Sequence, residues 1–173
     1  NLRPESKKLE LTRDLFIFSC FTGLAYADVR SLKAGEIVRT IDGVDWIKTH
    51  RTKTKTKANI PLLPIPKNII SKYVRLQDLH PDELIFKVYS NQKINDYLKV
   101  LAKLAKIEKK VSFHIARHTF ATTVTLQNGI PIETVSKMLG HTNIKTTQHY
   151  AKVLDSKISK DMEILKSHYL RIA

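Results

Sequence analysis

This sequence has one cysteine, little negative charge, no internal repeat and no long apolar run. The lone thiol, Cys20, excludes an intrachain disulfide and fits a reducing compartment. It falls in the apolar run from Leu15 to Phe21 and is read as core. No stretch approaches the roughly 20 apolar residues of a helical membrane span, so no membrane partner is expected. Residues 1–10 are polar and charged, lack the apolar stretch of a signal peptide, and do not begin with Met. They are expected to be an interdomain linker, with residues 11–173 forming one domain of an excised, longer protein. The shortage of acid is set against 30 Lys and Arg, which outnumber 16 Asp and Glu and leave a net charge of +14. A surplus of this size points to a polyanionic partner, most often nucleic acid.

Apolar periodicity predicts a mainly α domain with a small three-stranded antiparallel β-sheet. Helices are expected from Leu11 to Phe21, capped by Thr12, and from Tyr26 to Lys33. Glu36 to Ile41 and Val44 to His50 read as strands joined at Asp42-Gly43, and Asn59 to Leu63 as a third. Pro66 to Leu79 and Asn91 to Ile107 read as helices, with a short strand at Leu84 to Val88 between them. Ser112 is expected to cap a helix that runs to Asn128-Gly129, with Phe113, Ala116, Phe120 and Val124 on its apolar face. A helix opening at Pro131 is closed by Gly140, placing His141 in the exit turn. Thr142 is expected to cap the next helix, whose end carries His149 and Tyr150. Leu154 to Tyr169 is the last helix, with an apolar stripe of Ile158, Met162, Leu165 and Tyr169.

The chemistry concentrates between Ser112 and Tyr150. His114 and His118 are four residues apart, as in helical zinc sites. However, Ile115 stands where H-E-x-x-H requires glutamate, and Arg117 sets a cation beside any metal. His114 and Arg117 are three apart and share a helix face, an arrangement suited to one anion, with arginine offering bidentate donors to phosphate. His118 is read as a structural donor rather than a second ligand. Tyr150 is a poor nucleophile at its ordinary pKa of about 10 and needs cations or a base nearby. Lys53, Lys55 and Lys57 alternate with threonine; in a strand or hairpin they would share one side and call for an anion such as a phosphate backbone, the other reading being a solvated hairpin tip.

His114-x-x-Arg117, Leu139-Gly140-His141 and Tyr150, nine residues after His141, closely resemble the second motif box of the tyrosine recombinases, the phage-type integrase family. Phe120-Ala-Thr, Phe21-Thr-Gly-Leu and Arg51-Thr-Lys53-Thr with Ile60-Pro61-Leu62 resemble further family segments, so the likeness runs from about Leu11 to Lys152. The resemblance implies a site-specific DNA recombinase catalytic domain. Tyr150 would attack a scissile phosphate to give a 3′-phosphotyrosyl link and a free 5′-hydroxyl. It further implies that Arg117 and His141 hold the non-bridging oxygens and that His114 assists proton transfer. Lys53 is then the general acid, with Lys55 the alternative, and Asp28 orients the other groups. No cofactor or metal is implied. Implied partners are double-stranded DNA attachment sites, other protomers in a synaptic tetramer and accessory DNA-bending proteins, in a bacterial cytoplasm at the nucleoid. A type IB topoisomerase-like nicking-closing enzyme and a catalytically impaired DNA-binding module are the alternatives. The second is motivated by Ala25, which stands where the first box carries its arginine. Integrases of some conjugative transposons look similar in this stretch. Arg13 is the candidate replacement, because it shares a helix face with Phe16, Ile17 and Cys20; Arg30 is the alternative, and a structural ion pair of Arg13 with Asp28 or Asp14 is the other reading.

Overall fold

The computed structural model describes residues 6–151 and 155–170. Helix α1 (Lys7–Thr22) runs through the centre of the domain, packing against α3 (Pro64–Tyr73), α4 (Asn91–Leu104) and α5 (Phe113–Thr119). Helix α2 (Tyr26–Ser31) follows at once and leads into an antiparallel sheet of β1 (Ile37–Arg39), β2 (Asp45–His50) and β3 (Lys57–Pro61), in the order β1-β2-β3. After α5 the chain continues through a π-helical stretch (120–125) and a 3-10 turn (126–128) into α6 (Ile132–Met138), α7 (Lys145–Gln148) and α8 (Asp155–Tyr169). Among the described residues no helix is long and apolar enough to cross a membrane.

A single apolar core joins these elements. Leu15 and Phe18 of α1, Ile47 of β2, Ile60 of β3, Ile94 and Leu98 of α4 and Phe113 and Phe120 after it are all buried together. The apolar face expected on the helix after Ser112 therefore points inward, and each fully buried side chain contributes about 1.5–3 kcal/mol on burial.

Several boundaries differ from expectation, each for a local reason. α1 starts at Lys7, so residues 7–10 of the expected linker are its first turn. Ser6 Oγ accepts from Lys8 N, Leu9 packs on the core, and Glu10 pairs with Lys72. Thr12 is no cap; its hydroxyl donates back to Lys8 O. Residues 84–88 make only one isolated bridge, Lys33 to Leu84. Helix α3 stops at Tyr73, and residues 76–78 form a 3-10 turn. Ser112 makes no side-chain cap bond, and Asn95 Oδ1 on α4 instead accepts from Phe113 N at 2.8 Å. The helix expected to reach Asn128 loses regular geometry after Thr119, where Thr125 Oγ1 donates to both Phe120 O and Ala121 O. Asn143, not Thr142, supplies the bond to α7, at Lys145 N. The expected first residue of the last helix, Leu154, and residues 1–5 lie outside the described residues. On α8, Ile158, Met162, Leu165 and Tyr169 are all exposed.

Candidate active site

The site forms where α1, α5 and α6 end beside the turn between β2 and β3. Two glycines make this convergence possible. Gly23 lies just past α1 at φ 69, and a Cβ there would meet Phe120 Cδ1 at 2.5 Å. Its carbonyl is thereby exposed to Arg117, whose Nη1 donates to Gly23 O at 2.5 Å. Gly140 ends α6 at φ 64 in a Schellman arrangement, with Gly140 N donating to Lys137 O and His141 N to Ser136 O. A Cβ at Gly140 would meet Arg51 Cγ at 2.8 Å. The Leu139-Gly140-His141 motif thus turns the chain, orients His141 and leaves room for an arginine from the hairpin.

Arg117 is buried, with 4% of its surface exposed. Its Nη2 donates to Leu139 O at 2.6 Å and lies 3.1 Å from His141 Nε2. Burial pushes its pKa down to about 10; the Arg51 charge adds to the drop, while the Tyr150 phenol and Asp28 oppose it. His141 is held down to about 4 by burial, then by Arg117 and Arg51, so the ring is neutral at physiological pH. Tyr150 is half-buried between two imidazoles. Its ring centroid is 5.2 Å from that of His118 and 6.4 Å from that of His141, against which it stacks at 5°. His118 therefore sits against the phenol, the second-ligand position that the sequence reading weighs below a structural role. His114 is exposed one turn earlier on α5.

Asp28, also buried, ties α2 to the hairpin. Its Oδ2 accepts from Ala25 N at 3.2 Å, closing the α2 N-terminus, and its Oδ1 accepts from Thr52 N at 2.8 Å. Arg51 Nε lies 2.8 Å from Oδ2 as an ion pair, and Arg51 Nη1 donates to Leu139 O at 3.0 Å. Arg51 is the functional candidate that sequence reasoning missed. The sequence reading sets Arg13 against Asp28 instead.

Of the two readings of Arg13, the geometry shows the ion pair, with Asp14. Arg13 Nε donates to Asp14 at 2.8 Å, and its Nη2 also pairs with Asp14 and reaches Glu10 at 3.8 Å, within a surface network completed by Lys72. The guanidinium that reaches Asp28 belongs to Arg51. The expectation of a lysine row is corrected as well. Arg51 N donates to Thr56 O and Lys55 N to Arg51 O, so residues 51–56 form the hairpin turn. Lys55 has φ 57, and only Lys57 lies in a strand, so the three lysines do not alternate along one face. Lys53 is exposed in that turn.

This constellation and its helical scaffold have recognisable relatives. The chain matches the phage integrase family over residues 5–157 and belongs to that family. Among curated proteins it is similar to a tyrosine recombinase XerC-like protein of Caldanaerobacter subterraneus subsp. tengcongensis, 26% identical across 86% of this chain and 45% of that protein. Tyrosine recombinase XerC of Rickettsia bellii is 30% identical across 65% of this chain and 38% of that protein. The chain therefore spans less than half the length of these relatives. In fold it is similar to XerH site-specific recombinase bound to a palindromic difH substrate, with TM-score 0.71, 18% identity and coverage of 95% of this chain and 48% of that one. The Tn1549 transposon integrase in complex with transposon right end DNA matches with TM-score 0.67, 16% identity and coverage of 94% and 61%.

Proposed function

We propose that this chain is the catalytic domain of a site-specific DNA recombinase acting on double-stranded attachment sites, as implied for the whole protein by the relatives it matches. The observation that carries this reading is a local imbalance of charge. Two guanidinium groups, Arg51 and Arg117, share the Leu139 carbonyl, and among the described residues the one carboxylate ion-paired there, Asp28, is paired with Arg51, beside a phenol. Such a surplus is costly in a buried setting unless an anion completes it.

A phosphodiester meets that requirement. Its non-bridging oxygens offer each arginine a bidentate acceptor, and the extra charge of the pentacoordinate transition state is stabilised most where the donors are already fixed. Tyr150 Oη attacks phosphorus, the bond to the 5′-oxygen breaks, and the 3′-phosphate stays on tyrosine. Lys53 is the proposed proton donor to the leaving 5′-oxygen, from a turn tied to the site through Thr52 and Arg51. His114, from the exposed face of α5, is the proposed acceptor of the phenol proton. His141 is neutral without DNA, and an arriving phosphate offsets the two arginines and favours its protonated form. Attack by a 5′-hydroxyl of a partner strand reverses the step, so no cofactor is consumed.

The exposed stripe on α8 supports assembly with other protomers, for which Ile158, Met162 and Leu165 offer an apolar face. A DNA substrate supports the bacterial cytoplasm, at the nucleoid, as the proposed location. The segment ahead of α1 is proposed as the link to an upstream DNA-clamping domain. A nicked suicide DNA duplex containing the sequence that the longer protein protects tests the reading. The recombinase reading predicts a covalent protein–DNA adduct; sequence-specific binding with no adduct would favour the impaired binding module.

A further inference from the structure

The segment that carries Tyr150 is bonded to the phosphate-facing histidine through one buried residue. Thr147 on α7 has no exposed surface. Its hydroxyl lies 2.8 Å from His141 Nδ1, and its carbonyl accepts from Tyr150 N at 2.9 Å. The opposite ring nitrogen of His141 settles the proton positions. Arg117 Nη2, 3.1 Å from His141 Nε2, is a donor only, so Nε2 is the acceptor and carries no proton. In the neutral ring the proton is then on Nδ1, which donates to Thr147 Oγ1.

We propose that Thr147 is a positioning residue that fixes the Nδ1–H tautomer of His141 and couples this histidine to the backbone of Tyr150. The inference rests on the reading of the cluster as a DNA-cleaving site. It goes further by naming a device that ties the phosphate ligand to the nucleophile. With the proton held on Nδ1, the lone pair at Nε2 stays on the side of Arg117 and Tyr150, where phosphate and phenol meet. A shift of the Tyr150 segment moves Thr147 and releases the ring, so the histidine is set only when the nucleophile is in place. The charged and titratable groups around the ring are Arg117 on α5, Arg51 on the hairpin turn and Tyr150. Lys57 on β3 and Lys137 on α6 line the neighbouring cavity of about 460 Å³.

The test compares Thr147→Val, which keeps the shape but removes the acceptor, with Thr147→Ser, which keeps the hydroxyl. Nitrogen-15 NMR of the His141 ring, assigned against His141→Gln, is recorded at neutral pH without DNA. Suicide-substrate cleavage is measured beside it. The expected wild-type spectrum shows a protonated Nδ1 and a bare Nε2. In Thr147→Val the tautomer becomes mixed or inverted and the cleavage rate falls on the order of tenfold or more, while Thr147→Ser stays close to wild type in both. A wild-type ring protonated at Nε2 overturns the proposal, as does a folded Thr147→Val that keeps both tautomer and rate. The NMR arm needs no cleavage, so a protein that never cuts DNA would defeat the functional reading while leaving the hold on His141 decided separately.

Discussion

Arg51 and Arg117 donate to the same carbonyl oxygen, that of Leu139. One guanidinium comes from the hairpin and the other from α5, and α6 ends between them. Ala25 stands where the family resemblance calls for an arginine, and the guanidinium found against Asp28 is that of Arg51. Arg51→Ala is expected to lower the rate of covalent adduct formation by about 10²–10³, the usual effect of losing one preorganised donor. Arg51→Lys keeps the charge but not the planar fork and is expected to fall between the two. Arg13→Ala, outside the cluster, should cleave at close to the wild-type rate. Thermal melts alongside separate this from simple unfolding, because Arg51→Ala also leaves Asp28 without its cation.

Gly140 is held by both its backbone angle and its neighbour. Gly140→Ala puts a methyl where Arg51 Cγ lies 2.8 Å away, at a φ of 64 that side chains rarely adopt. The expected cost is about 1–3 kcal/mol of stability, together with displacement of Arg51 and loss of cleavage. Urea unfolding and adduct formation measured on the same preparation check both effects. Gly43→Ala, at a hairpin with open space around it, provides the comparison for the backbone effect alone.

The depressed pKa of His141 predicts how stability varies with pH. The folded protein holds this ring neutral down to about 4, because of burial first and then Arg117 and Arg51. The unfolded chain takes up the proton near 6.5. The unfolded state therefore binds more protons between those values, and the stability associated with this group, complete above 6.5, is lost as pH falls toward 4. His141→Gln should flatten the melting temperature across that window. Asp14 behaves differently. Hydrogen bonds from Lys72, Arg13 and Tyr73 outweigh its burial and lower its pKa, so its contribution fades only at pH values below the ordinary carboxylate range.

The helical scaffold was legible because its apolar residues recur at steps that only an inward helix face explains, as with Ile94, Leu98 and Leu101. The contacts of Tyr150 with His141 and of His141 with Arg117 were foreshadowed by motif spacing. Arg51 was not, because the search for a replacement followed helix periodicity around Ala25. The true neighbour arrives from a hairpin 23 residues beyond Asp28. Turn geometry defeated the lysine reading for a related reason. Alternating Thr and Lys look like a strand, but the pair Arg51 N to Thr56 O closes a turn there. His118 lies on the same helix as Arg117, and no local pattern told its contact with Tyr150 from a surface position.

A net charge of +14 predicts that DNA affinity is governed largely by phosphate contacts. Affinity should fall steeply and linearly in log–log form between low and physiological salt, by tenfold or more for several neutralised phosphates. Fluorescence anisotropy across a salt series measures it. A flat response would separate the basic surface from the DNA-binding surface.

The central claim is that the phenol of Tyr150 becomes covalently joined to DNA. Trapping the protein on a suicide duplex, digesting the adduct with protease and nuclease, and sequencing the modified peptide by mass spectrometry tests it directly. The account predicts one nucleotide-bearing peptide with the phosphate on Tyr150, and no adduct from Tyr150→Phe at unchanged DNA affinity. A phosphate mapped to another residue, or an adduct that survives in Tyr150→Phe, would contradict it.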